Sequence, residues 1–267
     1  MPRLGPVLAP VRIATLVVVT TPLYLGYALT WPLGRLWPRL GGRLHRLFIG
    51  TWARSALRVM GVRVQVEGDL PDGSFFLVGN HLSYLDIPVL LGTVDARFLA
   101  KSEVAGWPVL GFLARTTGTL FVDRSRKRDL TRVNDEVRRV LDAGTGVVVF
   151  PEATSTKGVE VLPFKPSIFQ VPSEMGLPVS CAALSYAHPN SEPPAWRSVC
   201  WWGDAPFAPH FYEFLKQPRT DAIVTFGARI PPGLERKELA SAAHGALRAV
   251  FRPTCPPEHR DTPYIPV

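Results

Sequence analysis

From Val62 to Val250 short apolar runs alternate with stretches of helical period. Residues 62–66, 75–78, 97–100, 119–122, 147–150, 179–184, 198–202 and 222–226 are rich in Val, Phe, Leu and Ala and read as strands. Between several of them lie helical patterns, clearest over 130–141 and 236–250. Strands alternating with helices predict one α/β domain, a largely parallel central sheet flanked by helices, with its chemistry at strand ends. Upstream the pattern changes. Residues 13–34 carry no charge, and at ~1.5 Å per residue they reach roughly 33 Å, enough to cross a bilayer. Pro22, Gly26 and Pro32 interrupt this run, so a bent segment that enters a membrane and returns fits as well as a clean span. Residues 43–60, read as a helix, gather Arg43, Arg46, Arg54 and Arg58 on one side. Leu44, Phe48, Trp52, Ala56, Val59 and Met60 fall on the other, as in a basic helix lying at an interface with its Trp and Phe in the acyl chains. The expected organisation is a membrane-associating helical region over 1–60, a catalytic domain over 61–252 and a proline-rich tail over 253–267.

Charge sharpens this division. Residues 1–66 contain nine arginines and no lysine, aspartate or glutamate, while the remaining 201 carry 21 basic and 22 acidic groups. The whole cationic excess therefore sits at the amino end, which suits an anionic membrane surface. Nucleic acid is a poor partner, because no platform interleaves basic and stacking residues. The apolar run is long for a secretory signal and no small-x-small site follows it, so it is expected to be retained. Cys181, Cys200 and Cys255 are odd in number and widely spaced, which argues against a disulfide framework or a zinc site and places the catalytic part on the reducing, cytoplasmic side.

The candidate chemistry begins at Asn80-His81-Leu82-Ser83-Tyr84-Leu85-Asp86, straight after the strand at 75–78. On a continuous helix, side chains five apart point about 140° away from each other. His81 and Asp86 can meet only if His81 sits on the turn into a helix and Asp86 in its first turns, forming a base and its orienting carboxylate. Gly118-Thr119-Leu120-Phe121-Val122-Asp123-Arg124 and Phe150-Pro151-Glu152-Ala153-Thr154-Ser155 follow in order. Together with the apolar block at 177–183, these segments resemble the conserved blocks of the lysophospholipid acyltransferase family, which includes bacterial 1-acylglycerol-3-phosphate acyltransferases. The family pattern is Asn-His-x4-Asp, Gly-x-Phe-x-x-Arg and Phe-Pro-Glu-Gly-Thr-x-Ser, and the resemblance runs from about residue 60 to 230.

The resemblance implies transfer of a fatty acyl group from acyl-CoA or acyl carrier protein, each a co-substrate rather than a resident cofactor, to the hydroxyl of a lysolipid. His81 is the base, Asp86 holds its tautomer, and backbone N–H groups near the first or third motif meet the oxyanion. Asn80, Lys101, Arg124, Glu152, Thr154 and Lys165 are the expected substrate contacts, and no metal is implied. Two departures bear on the acceptor. Ala153 stands where the family has glycine, and Ser155 where many members carry arginine, so an acceptor phosphate would need other cations: Arg124, Lys101, Lys157 or Lys165. The first expectation is 1-acyl-sn-glycerol-3-phosphate, giving phosphatidic acid. The alternative is a lysolipid with another head group, such as lyso-ornithine lipid. A lipid acyl hydrolase and a non-catalytic lipid-binding protein are remoter readings. His188 and His210 lack an acidic partner in any motif and are expected to be structural.

Overall fold

The computed structural model describes residues 5–123, 127–189 and 193–264. The chain opens with two helices, α1 (Gly5–Leu36) and α2 (Pro38–Val59). There follow β1 (Val62–Glu67), β2 (Phe76–Gly79), α3 (Asp86–Thr93), β3 (Ala96–Lys101), α4 (Leu110–Thr116), β4 (Leu120–Val122), α5 (Lys127–Asp142) and β5 (Gly146–Val149). The second half holds α6 (Gln170–Glu174), β6 (Val179–Ala187), α7 (Ala195–Ser198), α8 (Phe207–Leu215), β7 (Thr220–Phe226) and α9 (Arg236–Val250).

Among the described residues the strands form a seven-stranded sheet in the order β1-β7-β6-β2-β5-β3-β4. Every pairing is parallel except β6 with β7. Central strands of such a sheet are covered on both faces, so they read as unbroken apolar runs; β2 and β5 are buried at every position. Leu77 and Val148 face a core built with α2, α3 and α8. Phe76, Val78, Val147 and Val149 face a second core under α5 and α9. The C-terminal ends of β2, β3 and β5 lie along one edge, and the motifs collect there.

Three sequence expectations change. The run at 198–202 is not a strand. Helix α7 ends at Ser198, Val199 and Cys200 turn into the core, and the Trp201 N–H donates to the Leu82 carbonyl at 2.8 Å instead of to a ladder. A short apolar run cannot by itself distinguish these outcomes. Helix α1 is continuous through Pro10, Pro22 and Pro32, and the break falls instead at Trp37, just before Pro38. Its packing on α2 offsets the missing proline N–H groups: Tyr27 stacks on Phe48 at 4.6 Å, Tyr24 meets Phe48 edge-on at 4.9 Å, and the Trp52 indole N–H donates to Thr20 Oγ1.

The apolar face of α2 also points elsewhere than expected. Phe48, Trp52, Ala56 and Met60 are buried in the core rather than offered to lipid, so the expected boundary at residue 60 passes through a shared core. The large exposed apolar surface belongs to α1, where Val7, Val11, Val18, Leu25, Leu29 and Leu36 are all exposed. At 100° per residue those six positions fall within an arc of roughly 40°. The described part of the tail, residues 253–264, is loop apart from a short 3-10 turn at Pro257–His259, and it packs on the domain through buried Cys255 and through Thr254, whose hydroxyl accepts from the Tyr186 N–H.

Candidate active site

Strand β2 stops at Gly79 because the next side chain takes over its pairing. The Asn80 amide donates to the Leu184 carbonyl at 3.0 Å and accepts from the Leu184 N–H at 2.7 Å, so it continues the contact with β6 as a peptide group would. Asn80 is buried and its polar atoms are spent, which makes it a positioning residue rather than a substrate contact. The chain then turns, with the Asp86 N–H donating to the Ser83 carbonyl, and α3 begins at Asp86.

This turn wraps residues 81–85 round the Asp86 carboxylate. Oδ2 accepts from His81 Nδ1 at 2.7 Å, from the Leu82 N–H at 2.7 Å and from the Ser83 N–H at 3.0 Å. Oδ1 accepts from the Tyr186 hydroxyl at 2.6 Å. Asp86 is fully buried, so each of these donors offsets lost hydration. A carboxylate can only accept, which places the His81 proton on Nδ1 and leaves Nε2 as the basic lone pair. The imidazole plane is fixed from the side as well, stacked on Phe150 at 4.3 Å and 7°. With its side chain 24 % exposed, His81 is reachable from outside.

The third motif is fastened to the first through the His81 backbone. Glu152 accepts the His81 N–H on Oε1 at 3.1 Å and the Leu162 N–H on Oε2 at 3.2 Å, and the Thr156 N–H donates to the His81 carbonyl at 2.9 Å. Burial pushes the Glu152 carboxyl up to about 8, with Asp86 adding to the rise and the two N–H donors opposing it. Glu152 therefore acts on the position of His81. Ala153 has φ 64°, the left-handed conformation that glycine takes without strain. Beyond it, the N–H groups of Thr154 and Ser155 meet no acceptor among the described residues, an arrangement suited to an anion.

The other expected contacts divide. Lys101, at the C-terminal end of β3, and Lys165 are exposed along this edge, as is Thr154. Lys157 is committed to the tail, donating to the His259 and Thr262 carbonyls at 2.7 Å each and lying 4.7 Å from the Trp202 ring. Arg124 lies outside the described residues. Tyr186, which sequence reasoning missed, carries no local signal: it is one more buried position of an apolar strand. His210 bonds the Cys200 carbonyl and the Tyr84 hydroxyl, and His188 bonds the Arg219 carbonyl and Ser198; burial lowers the pKa of both. Cys181 is buried and its thiol is pushed up to about 12, which removes the thiolate a nucleophile needs.

Known proteins resemble this chain in sequence and fold. The Acyltransferase family model matches residues 61–185. A lyso-ornithine lipid O-acyltransferase of Rhodobacter capsulatus is 34 % identical over 206 residues, covering 73 % of this chain and 72 % of that one. A 1-acyl-sn-glycerol-3-phosphate acyltransferase of Neisseria gonorrhoeae is 34 % identical over 135 residues, 50 % of this chain and 53 % of that one. The crystal structure of the 1-acyl-sn-glycerophosphate acyltransferase of Thermotoga maritima superimposes with a TM-score of 0.63 at 20 % identity, over 94 % of this chain and 99 % of that one, which fixes the fold. Identity and coverage of this order show descent as well as fold, and the chain belongs to the lysophospholipid-type acyltransferases.

Proposed function

We propose that the protein O-acylates the free hydroxyl of a lyso-ornithine-type lipid with a thioester-borne fatty acid, working at a membrane. The observation that supports the chemistry is the His81–Asp86 pair, which leaves Nε2 basic and open. Nε2 takes the proton from the acceptor hydroxyl as its oxygen attacks the thioester carbonyl. The N–H groups of Thr154 and Ser155 meet the oxyanion of the tetrahedral intermediate. Collapse breaks the C–S bond, and the Nε2 proton passes to the departing thiolate, so the imidazole returns to its starting state. Asp86 holds the imidazolium between the two transfers. Acyl-CoA or acyl carrier protein serves as donor from the cytoplasmic side. The exposed stripe of α1, an apolar helix long enough to cross a membrane, meets the lipid.

For the acceptor, the lyso-ornithine lipid acyltransferases align over most of this chain, whereas the glycerophosphate acyltransferase of Neisseria gonorrhoeae aligns over half. Ser155 agrees with an acceptor lacking a phosphate, since one hydroxyl cannot grip a phosphate as a guanidinium does. A second reading, 1-acyl-sn-glycerol-3-phosphate as acceptor, is favoured by Lys101 and Lys165 on the same edge. Acyl transfer from a labelled thioester to both lysolipids and to several lysophospholipids decides between them, with His81→Ala alongside. The expected result is transfer to lyso-ornithine lipid that falls by ~10²–10⁴ in the variant. Transfer to lysophosphatidic acid alone would move the acceptor, and full activity in the variant would remove His81 from the mechanism. Release of free fatty acid without an acceptor would make the protein a hydrolase.

A further inference from the structure

Three apolar side chains stand exposed around a strained turn between β3 and α4: Trp107 and Val109 of the link are 39 % and 68 % exposed, and Phe112 in the first turn of α4 is 49 % exposed. Val109 has φ 58° and ψ −61°, and the Leu110 N–H donates to the Pro108 carbonyl at 2.6 Å. This is a γ-turn of the rare, strained hand. A β-branched residue at positive φ is an outlier that persists only where its surroundings hold it. In water both the strain and the exposed apolar surface are unfavourable, and glycine or asparagine would make the turn at lower cost.

Both ends of this arch are anchored. On the inner side, the Trp107 ring meets Trp201 at 5.8 Å, and Trp201 meets Tyr84, inside the His81–Asp86 loop, at 6.0 Å. On the outer side, Phe112 lies 5.5 Å from the Tyr24 ring of α1, and the Tyr24 hydroxyl pairs with Thr116 Oγ1 at 2.8 Å. The arch thus joins the apolar helix to the catalytic loop. Exposed Lys101 and Arg115 stand at its two ends, a charge suited to phosphates beside acyl chains.

We propose that Trp107, Val109 and Phe112 sit among the acyl chains of the bilayer and form the mouth by which a lysolipid passes from the membrane toward His81. The inference rests on the membrane-bound acyl-transfer reading above. Its occupant is lipid because the arch is continuous with α1 and its exposed apolar stripe. The three native cysteines are buried, so a single cysteine placed at Val109→Cys in the full chain can be labelled selectively with a polarity-sensitive nitrobenzoxadiazole probe. Leu25→Cys on α1 and Lys237→Cys on α9 serve as references. On vesicles of phosphatidylcholine and phosphatidylglycerol, the probes at 109 and 25 should shift to the blue and lose most of their emission to doxyl-labelled lipid, and the probe at 237 should do neither. Quenching at 25 with none at 109 overturns the arch alone. No vesicle binding and no quenching at any position overturns both the arch and the membrane reading.

Discussion

Tyr186 is the side chain whose removal isolates the geometry of the base. Its hydroxyl is the donor to Asp86 Oδ1, in a site closed to water. Burial raises the Tyr186 pKa well above its ordinary value, with Asp86 adding to the rise, so the phenol stays a neutral donor. Tyr186→Phe keeps the ring and leaves one carboxylate oxygen buried without a partner, at a cost of about 1.5–3 kcal/mol in stability. Looser restraint on Asp86 should lower kcat by roughly tenfold, about 1.4 kcal/mol of barrier, with KM unchanged. Chemical denaturation and steady-state kinetics on one preparation check both; unchanged kcat would confine Tyr186 to a structural role. Ala153 gives a prediction of opposite sign. Its left-handed backbone costs an L-residue ~1–2 kcal/mol, while glycine adds ~0.4–1 kcal/mol of unfolded-state entropy. The first is larger, so Ala153→Gly should raise stability by ~0.5–1 kcal/mol in thermal denaturation; a lower Tm would mean that the methyl group packs better than the strain costs. His81 and Asp86 were legible because their spacing permits one geometry. Tyr186 was not, since it comes from a strand 100 residues away with no mark on its own segment. The inward turn of Asn80 is hidden for the same reason.

Strands and loops differ in how much the sequence discloses. The buried parallel strands announce themselves as apolar runs, and their ends are off by one to three residues. The 198–202 run misleads because its backbone is satisfied by Leu82 rather than by a neighbouring strand. The periodicity of α2 is real, yet an apolar face looks alike whether core or lipid covers it, and here it is the core. The loop after β5 is another matter, because it carries a buried carboxyl whose protonation differs between the folded and the unfolded chain. The Glu152 carboxyl titrates near 8 when folded against an ordinary value of 4.5. Between those values the folded chain keeps a proton that the unfolded chain has released. The associated stability is fully present below about 4.5 and is lost as the pH rises through about 8. Glu152→Gln cannot titrate, so urea unfolding at pH 5 and pH 8 should show a smaller loss between the two than the unsubstituted protein. An equal loss would assign the slope to another group.

Taken together, the chain has two attachments that set how it can meet a bilayer. Near its start, α1 is held by Arg12, whose guanidinium donates to the carbonyls of Leu215, Gln217 and Pro218 beyond and at the end of α8. Burial lowers the Arg12 pKa, and the three carbonyls at a helix C-terminus replace its hydration. Twelve residues on, Tyr24 is tied to Thr116 of α4, a distance along the helix of about 18 Å. A helix fixed to the domain at both points cannot also have ~30 Å of its length surrounded by lipid. It can lie in the plane of one leaflet, with its six-residue stripe in the acyl region and the arginines of α2 beside the head groups. Burying one Val or Leu contributes about 1.5–3 kcal/mol, so Val18→Asp with Leu25→Asp should weaken vesicle partition by ~10²-fold or more. Both positions are exposed, at 69 % and 61 %, so Tm should hold while the protein leaves the pellet in vesicle sedimentation. The alternative predicts something else: a free spanning helix would lose its insertion but keep no contact with the domain, and Arg12→Ala would then leave Tm unchanged. A protein that stays with the vesicles after both aspartates would place its anchor outside α1.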